Sequence, residues 1–245
     1  MRNLRFNISY DGTCYHGFQI QKDYITIEKV IKDGVYKLTG ENVDIIGCGR
    51  TDAGVHAIDY TLNFKTNSSI PCDKFPIALN TVTPYDISFL RCVEVDDSFH
   101  SRFLAKRKTY KYLIHTSKYP NPFYNRFAYN YKIPLDIDKM IEAKKYIEGT
   151  KDFKCFMAQG SPIVDTVRTV YGIDINKKDD LIEIEVCGNG FLYNMVRIIV
   201  GTLINVGNSK FDPEYVDYII KSKDRENAGM TVPAHGLYLK EVIYD

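Results

Sequence analysis

The order in which hydrophobic periodicity switches along the chain constrains it most. Leu4, Phe6, Ile8 and Tyr10 alternate with Arg5, Asn7 and Ser9, the period of a half-buried strand. Ile27, Val30, Ile31, Val35 and Leu38 then share one helical face, with Thr26 placed to cap it and Gly40 to stop it. Two strands flank a turn at Gly49–His56. A short helix around Asp73–Asn80 and a strand over Ile87–Val95 follow. Strand, helix, strand, strand, helix, strand is a split βαβ order.

A second half starts near Lys106. Tyr110, Tyr112 and Ile114 alternate with Lys111 and His115, a further strand. Asp136 caps a helix bearing Ile137, Met140, Ile141 and Ile147, which Gly149 ends. Thr166–Ile175 and Leu181–Cys187 read as a hairpin across the polar loop Asn176–Asp180. Phe191–Val206 reads as a helix, and Asp212-Pro213 opens a last one. The expectation is an α+β fold of two sheet-and-helix domains, residues 1–105 and 106–245, which suits a length of 245 residues.

Composition excludes several classes. The opening MRNLRFNISYDG lacks the apolar core and small-residue cleavage site of a signal peptide. No apolar run is long enough to cross a bilayer as a helix. Six cysteines without paired spacing predict reduced thiols in a cytoplasmic protein. Five histidines, far apart, fit no metal spacing.

Net charge is only +1, yet the charge is uneven. Arg102, Lys106, Arg107, Lys108 and Lys111 fall between Ser98 and His115, where no acid occurs. A solvated face explains many such runs. Here Phe99, Phe103, Tyr110 and Tyr112 are interleaved, and cations with flat rings suit single-stranded nucleic acid.

Two features remain. The Phe191–Val206 segment is apolar on nearly every side, as in a buried helix, yet carries Arg197 at its middle. An arginine keeps its proton, so Arg197 either snorkels to solvent or meets an anion within the fold. The other feature is GRTDAGVH, Gly49 to His56. A plain turn, with Asp52 closing it and Gly54 at positive φ, is one explanation. A dinucleotide fingerprint fails, since Asp52 stands where its third glycine belongs, and no Walker lysine is present. No G-x-S-x-G occurs for a serine hydrolase, and a carboxylate-pair hydrolase needs a second acid that sequence does not locate.

GRTDAGVH, with Cys48 and Ala57 beside it, resembles the active-site segment of the tRNA pseudouridine synthase A (TruA-type) family. The likeness extends to YDGTCYHGFQ (Tyr10–Gln19), SFHSRFLAKRKTYKY (Ser98–Tyr112), FLYNMVRIIVGTLINVG (Phe191–Gly207) and AHGLYL (Ala234–Leu239), in the family's order. The resemblance implies two α+β domains like RNA-binding, ferredoxin-like modules, with an active-site cleft between them. It implies a homodimer without cofactor or metal that isomerises uridine to pseudouridine in the anticodon arm of tRNA.

It further implies that Asp52 is the nucleophile, that Tyr110 stacks on the target uracil, and that Arg197 pairs with the nucleophile. Leu237 would wall the pocket and Arg50 would handle the displaced nucleotide. The composition of the basic run, rather than the resemblance, adds Arg102, Lys106, Arg107 and Lys108 as expected substrate contacts. A tRNA-binding protein or chaperone without catalysis is the rival expectation, and a nucleotide hydrolase is a third. Phe18 and Glu28 depart from common family choices of tryptophan and glutamine, and Ala158–Thr169 has the look of a shortened loop. These departures bear on target choice.

Overall fold

The computed structural model describes residues 1–244, which divide into two compact units. The first begins with β1 (Arg2–Tyr10), α1 (Ile27–Thr39), β2 (Ile46–Gly47), β3 (His56–Thr66), α2 (Phe75–Val82) and β4 (Ile87–Val95). Strand β1 lies between β3 and β4, antiparallel to both, and β2 pairs antiparallel with the far side of β3. This is the sheet order of a split βαβ module.

Local sequence places α1 closely. The Thr26 side chain accepts from Lys29 N–H, and Gly40 takes φ 74° at the C-cap, where only glycine is unstrained. Helix α2 starts at Phe75, with Pro76 in its first turn, slightly later than the expected Asp73. Phe6 stacks on Phe64 at 4.9 Å and meets Phe75 edge-on at 5.4 Å, so both strands and α2 share one aromatic core. The opposite face of the sheet is also covered. Asn63 Oδ1 accepts from Ser101 N–H at 2.9 Å and Ser101 Oγ at 2.7 Å, while Asn3 Nδ2 donates to the Phe99 carbonyl at 3.1 Å. Those bonds tie the start of the basic run to the sheet.

The second unit holds β5 (Arg107–His115), β6 (Tyr129–Asn130), α3 (Ile137–Ile147), β7 (Gly149–Asp152), β8 (Val167–Lys178), β9 (Leu181–Gly188), α4 (Met195–Gly207) and α5 (Tyr215–Ser222). Here β7, β8 and β9 form an antiparallel meander with β5 on its far edge. The unit is α+β as expected, but its strand order differs from the first. Strand β10 (Leu237–Ile243) then pairs parallel to β3, Tyr238 opposite His56. The last residues, 238–244, therefore belong to the first unit, and the division falls after Lys106.

Three further elements differ from their expected bounds. Helix α4 starts at Met195, not Phe191, because Asn194 is left-handed at φ 60° and Met195 N–H closes a turn on Leu192. Leu192 is buried all the same, in a loop, and hydrophobicity alone does not tell the two apart. The hairpin turn is only Asp179-Asp180: Lys178 pairs with Leu181, and Asp179 sits at φ 52°. Polar side chains on exposed strand ends hide a ladder that the backbone continues. Asp212 and Pro213 form a turn before α5 rather than its first residues, with Tyr215 N–H bonded to the Asp212 carbonyl.

Glycine at 201 is a packing requirement. A methyl there would overlap the Met230 carbonyl, and one at Gly229 would overlap the α4 backbone, so the 229–232 segment lies directly on the helix. Gly201→Ala is expected to destabilise the protein by about 1–3 kcal/mol, an overpacking cost. Gly172→Ala, whose methyl would meet nothing within 4 Å, should stay within about 0.5 kcal/mol of wild type. Urea denaturation of both variants checks this; equal midpoints would contradict the close approach at Gly201.

Candidate active site

The GRTDAGVH turn connects β2 to β3, and its backbone closes it: Val55 N–H donates to the Asp52 carbonyl at 3.1 Å, with Gly54 at φ 77°. The plain-turn geometry is thus present, and it uses the main chain of Asp52. The aspartate side chain is half-buried and Arg50 is exposed.

What surrounds the turn is less ordinary. The segment after β1 wraps it on both sides of Asp52. Tyr10 and Thr51 share a buried hydroxyl–hydroxyl hydrogen bond of 2.9 Å, and Phe18 N–H donates to the Thr51 carbonyl at 3.2 Å. Beyond Asp52, Gly54 N–H donates to the Tyr15 carbonyl at 3.2 Å. A methyl on Gly12 would overlap the Val55 carbonyl, and one on Gly17 would overlap that of Thr51. Gly17 is in addition left-handed at φ 84°. The glycines of YDGTCYHGFQ therefore exist to let one loop lie backbone-to-backbone on the other.

Aromatic side chains lock this frame. The Tyr15 hydroxyl donates to Asp86 at 2.6 Å, and burial first, then that bond, pushes its phenol above the ordinary tyrosine range. Phe18 stacks on Tyr60 at 4.3 Å, and the Tyr60 hydroxyl donates to the Gly49 carbonyl at 2.5 Å. His56 is buried and stacks on Tyr238 at 4.8 Å. Its Nδ1 lies 3.1 Å from both Gly12 N and Asp11 Oδ1. In one tautomer that nitrogen accepts the Gly12 N–H; protonated, it donates to Asp11. Tyr10, Tyr15, Phe18 and His56 were not singled out from sequence as site residues. Their signal was their place in the two segments YDGTCYHGFQ and GRTDAGVH, whose glycines say that something approaches but not what.

The second unit holds the other expected residues. Tyr110, opposite Val186 on β5, is half-buried, with its ring edge-on to Phe191 at 5.3 Å. Tyr112 is fully buried and donates to the Pro233 carbonyl at 2.8 Å; burial raises its phenol well above the ordinary range, against the opposing pull of the nearby Arg197 cation. Arg197 is half-buried. Its Nε donates to the Val232 carbonyl and its Nη1 to Asn194 Oδ1, both at 2.7 Å. The guanidinium is thus oriented by the 229–232 segment that Gly201 admits, rather than left to trail into solvent. Leu237 is buried beside this region, following Gly236, which has no room for a methyl against Tyr112.

The basic run is uneven. Arg102, Lys106 and Arg107 are exposed and Lys108 is half-buried. Lys111 instead faces Glu183 on β9 at 3.4 Å, so its charge is matched within the sheet. Arg107 lies over the Tyr171 ring at 4.9 Å. Of the interleaved rings, Phe103 is exposed and stacked on His100 at 4.1 Å, Phe99 leans on Tyr244, and Tyr112 is internal.

The first unit thus holds a carboxylate in a closed frame, and the second holds a half-buried ring and an oriented guanidinium. Residues 7–103 and 143–245 match a family model described as tRNA pseudouridine synthase. A protein of Thermoanaerobacter sp. strain X514 named tRNA pseudouridine synthase A is 50% identical over 244 residues, covering 100% of both chains. A Clostridium tetani protein named tRNA pseudouridine synthase A 2 is also 50% identical, covering 100% of this chain and 99% of its own. Among solved structures, an archaeal box H/ACA Nop10–Cbf5 complex overlaps 95% of this chain and 59% of that one, at TM-score 0.39 and 12% identity. The chain belongs to the tRNA pseudouridine synthase family, a family of isomerases.

The buried Tyr10–Thr51 bond gives a test of the frame. Tyr10→Phe leaves a buried hydroxyl without this partner and should cost about 1–3 kcal/mol. Adding Thr51→Val removes the orphaned group, and the double variant should be more stable than additivity allows. Denaturation of the two single variants and the double one measures the coupling; strict additivity would show that the two hydroxyls do not interact.

Proposed function

We propose that this chain isomerises uridine to pseudouridine in the anticodon arm of tRNA, with Asp52 as the nucleophile. The observation that carries this reading is the frame: two loops held backbone-to-backbone on either side of one half-buried aspartate. A protein that only binds tRNA has no use for so tightly fixed a carboxylate, which supports catalysis over the chaperone reading.

The reaction breaks the C1′–N1 glycosidic bond, turns the uracil, and forms a C1′–C5 bond; N1 gains a proton and C5 loses one. A carboxylate that adds to ribose C1′ or to the uracil ring holds one fragment while the base turns. Asp52 must be ionised to attack, and we assign Arg197 as the cation that keeps it so. Tyr110 would stack on the extruded base and its hydroxyl would take the C5 proton, while Leu237 would offer an apolar wall. Arg50 would hold the displaced nucleotide, and Arg102, Lys106, Arg107 and Lys108 would meet phosphates. The reading includes a cytoplasmic homodimer that needs neither cofactor nor metal.

Asp52→Asn keeps the shape but not the nucleophile. Turnover should vanish while tRNA affinity stays within about threefold, because phosphate contacts carry most of the binding. Tritium release from 5-labelled uridine in tRNA reads turnover, and release at the wild-type rate would refute the assignment.

Arg197→Leu tests the counter-charge. Without the cation the carboxylate's pKa rises, so less of it is ionised at neutral pH. Activity should fall there and recover in part at higher pH, moving the acidic limb of the pH–rate profile upward. An unshifted limb would mean that Arg197 serves another purpose.

A further inference from the structure

The cysteines lack paired spacing along the chain, yet the first unit brings two of them together. Cys92 sits on β4 opposite Phe6 of β1, and Glu94 sits opposite Leu4. Residues opposed in this way point to one side of the sheet, here the side on which Phe6 meets Phe75 of α2. Cys72 lies just before α2, in the turn that leads into that helix. The Cys72 sulfur and the Cys92 thiol are side-chain hydrogen-bond partners there.

Neither sulfur is loosely placed. Cys92 belongs to the β1–β4 ladder, while Lys74 and Phe75 N–H groups close on the Pro71 carbonyl at 3.0 and 2.9 Å and so fix the turn around Cys72. Arg2 fixes that turn from the other side. Its Nη1 donates to the Ser68 and Ile70 carbonyls at 3.3 and 3.0 Å, its Nη2 to Cys72 Sγ at 3.3 Å, and its Nε to Glu94 at 2.9 Å. Both thiols are half-buried, whereas Cys48 and Cys155 are fully buried. Burial first, then the neighbouring Cys72, raises the Cys92 thiol above the ordinary range, so Cys92 keeps its proton.

Paired thiols can hold a metal or form a disulfide, and Arg2 decides between the two. A guanidinium against one sulfur repels a metal cation, and among the described residues no three ligating side chains gather as a metal site would need. The same guanidinium favours the negative charge on an attacking sulfur.

We propose that Cys72 and Cys92 are a reversible oxidation site that closes to a disulfide when hydrogen peroxide reaches it. Cys72 Sγ attacks one peroxide oxygen and the O–O bond breaks; the departing hydroxide takes the thiol proton and leaves as water, and Cys72 becomes a sulfenic acid. Cys92 Sγ then attacks that sulfur. The S–S bond forms, and the sulfenic hydroxyl leaves with the Cys92 proton as a second water. The two sulfurs lose two electrons, which the peroxide gains. A thiol reductant reverses the step by exchange. The bridge ties the loop before α2 to β4, with the helix enclosed between its ends.

The test treats the full-length native protein with equimolar hydrogen peroxide, alkylates the remaining thiols after denaturation, and maps the peptides without reduction. A peptide bearing Cys72 should be joined to one bearing Cys92, two hydrogens lighter than the free pair, and dithiothreitol should part them. Cys14, Cys48, Cys155 and Cys187 should be recovered alkylated. Cys92→Ser should leave Cys72 as a sulfenic acid that dimedone traps, whereas Cys72→Ser should leave Cys92 largely reduced. The wild-type map needs no substitution, so it decides even where a variant fails to fold. A map in which Cys72 and Cys92 stay reduced, or are joined at random to the other cysteines, would overturn the proposal. So would stoichiometric zinc binding that Cys72→Ser abolishes, which would mark a metal pair instead.

Discussion

The first unit depends on one close approach. The loop after β1 lies on the loop before β3 with glycine where a side chain would collide, and main-chain hydrogen bonds cross in both directions. Backbone atoms are the least mobile part of a protein, so a residue fixed through them is placed more sharply than one held by long side chains. Asp52 gains its position this way. Its neighbours Thr51, Gly54 and His56 are each bonded to the opposite loop, and burial of Tyr10, Tyr15 and Phe18 keeps water from competing for those bonds.

The second unit uses the same device for another end. Gly201 and Gly229 let the 229–232 segment rest on α4, which carries the Val232 carbonyl to the Arg197 Nε. An arginine in a largely apolar helix would otherwise be a liability. Here two of its N–H groups meet oxygens that the fold itself supplies, and the plane of the guanidinium follows. Glycine and cation are thus linked across the helix by a backbone contact.

Covering both faces of the first sheet has a consequence for the basic run. The Asn63–Ser101 and Asn3–Phe99 bonds hold residues 99–101 against the strands, so Arg102 and Phe103 leave the sheet from a fixed point. Sheet pairing likewise sorts the cations further on. Lys111, with Glu183 opposite, is spent within the sheet, whereas Arg102, Lys106 and Arg107 reach solvent.

Elements were legible wherever a local rule decides them: the Thr26 and Gly40 caps of α1, the alternation of β1 and β5, and the Asp136 cap of α3 all depend on residues a few positions apart. Asp52 and Arg197 also stand out against their neighbours in the sequence, and the fold encloses the one in a framed turn and orients the other. What failed locally were boundaries set by contacts from elsewhere. Phe191 and Leu192 satisfy a helical pattern but are packed as loop, and β10 leaves the second half to pair with β3. Sequence alone determined which groups are present and the periods on which they recur. Only the tertiary structure decided that the Gly12–Gly17 loop frames Asp52 and that Lys111 is paired while Lys106 is exposed. Burial and close approach are properties of residues brought together from distant parts of the chain, and no local pattern encodes which distant part will arrive.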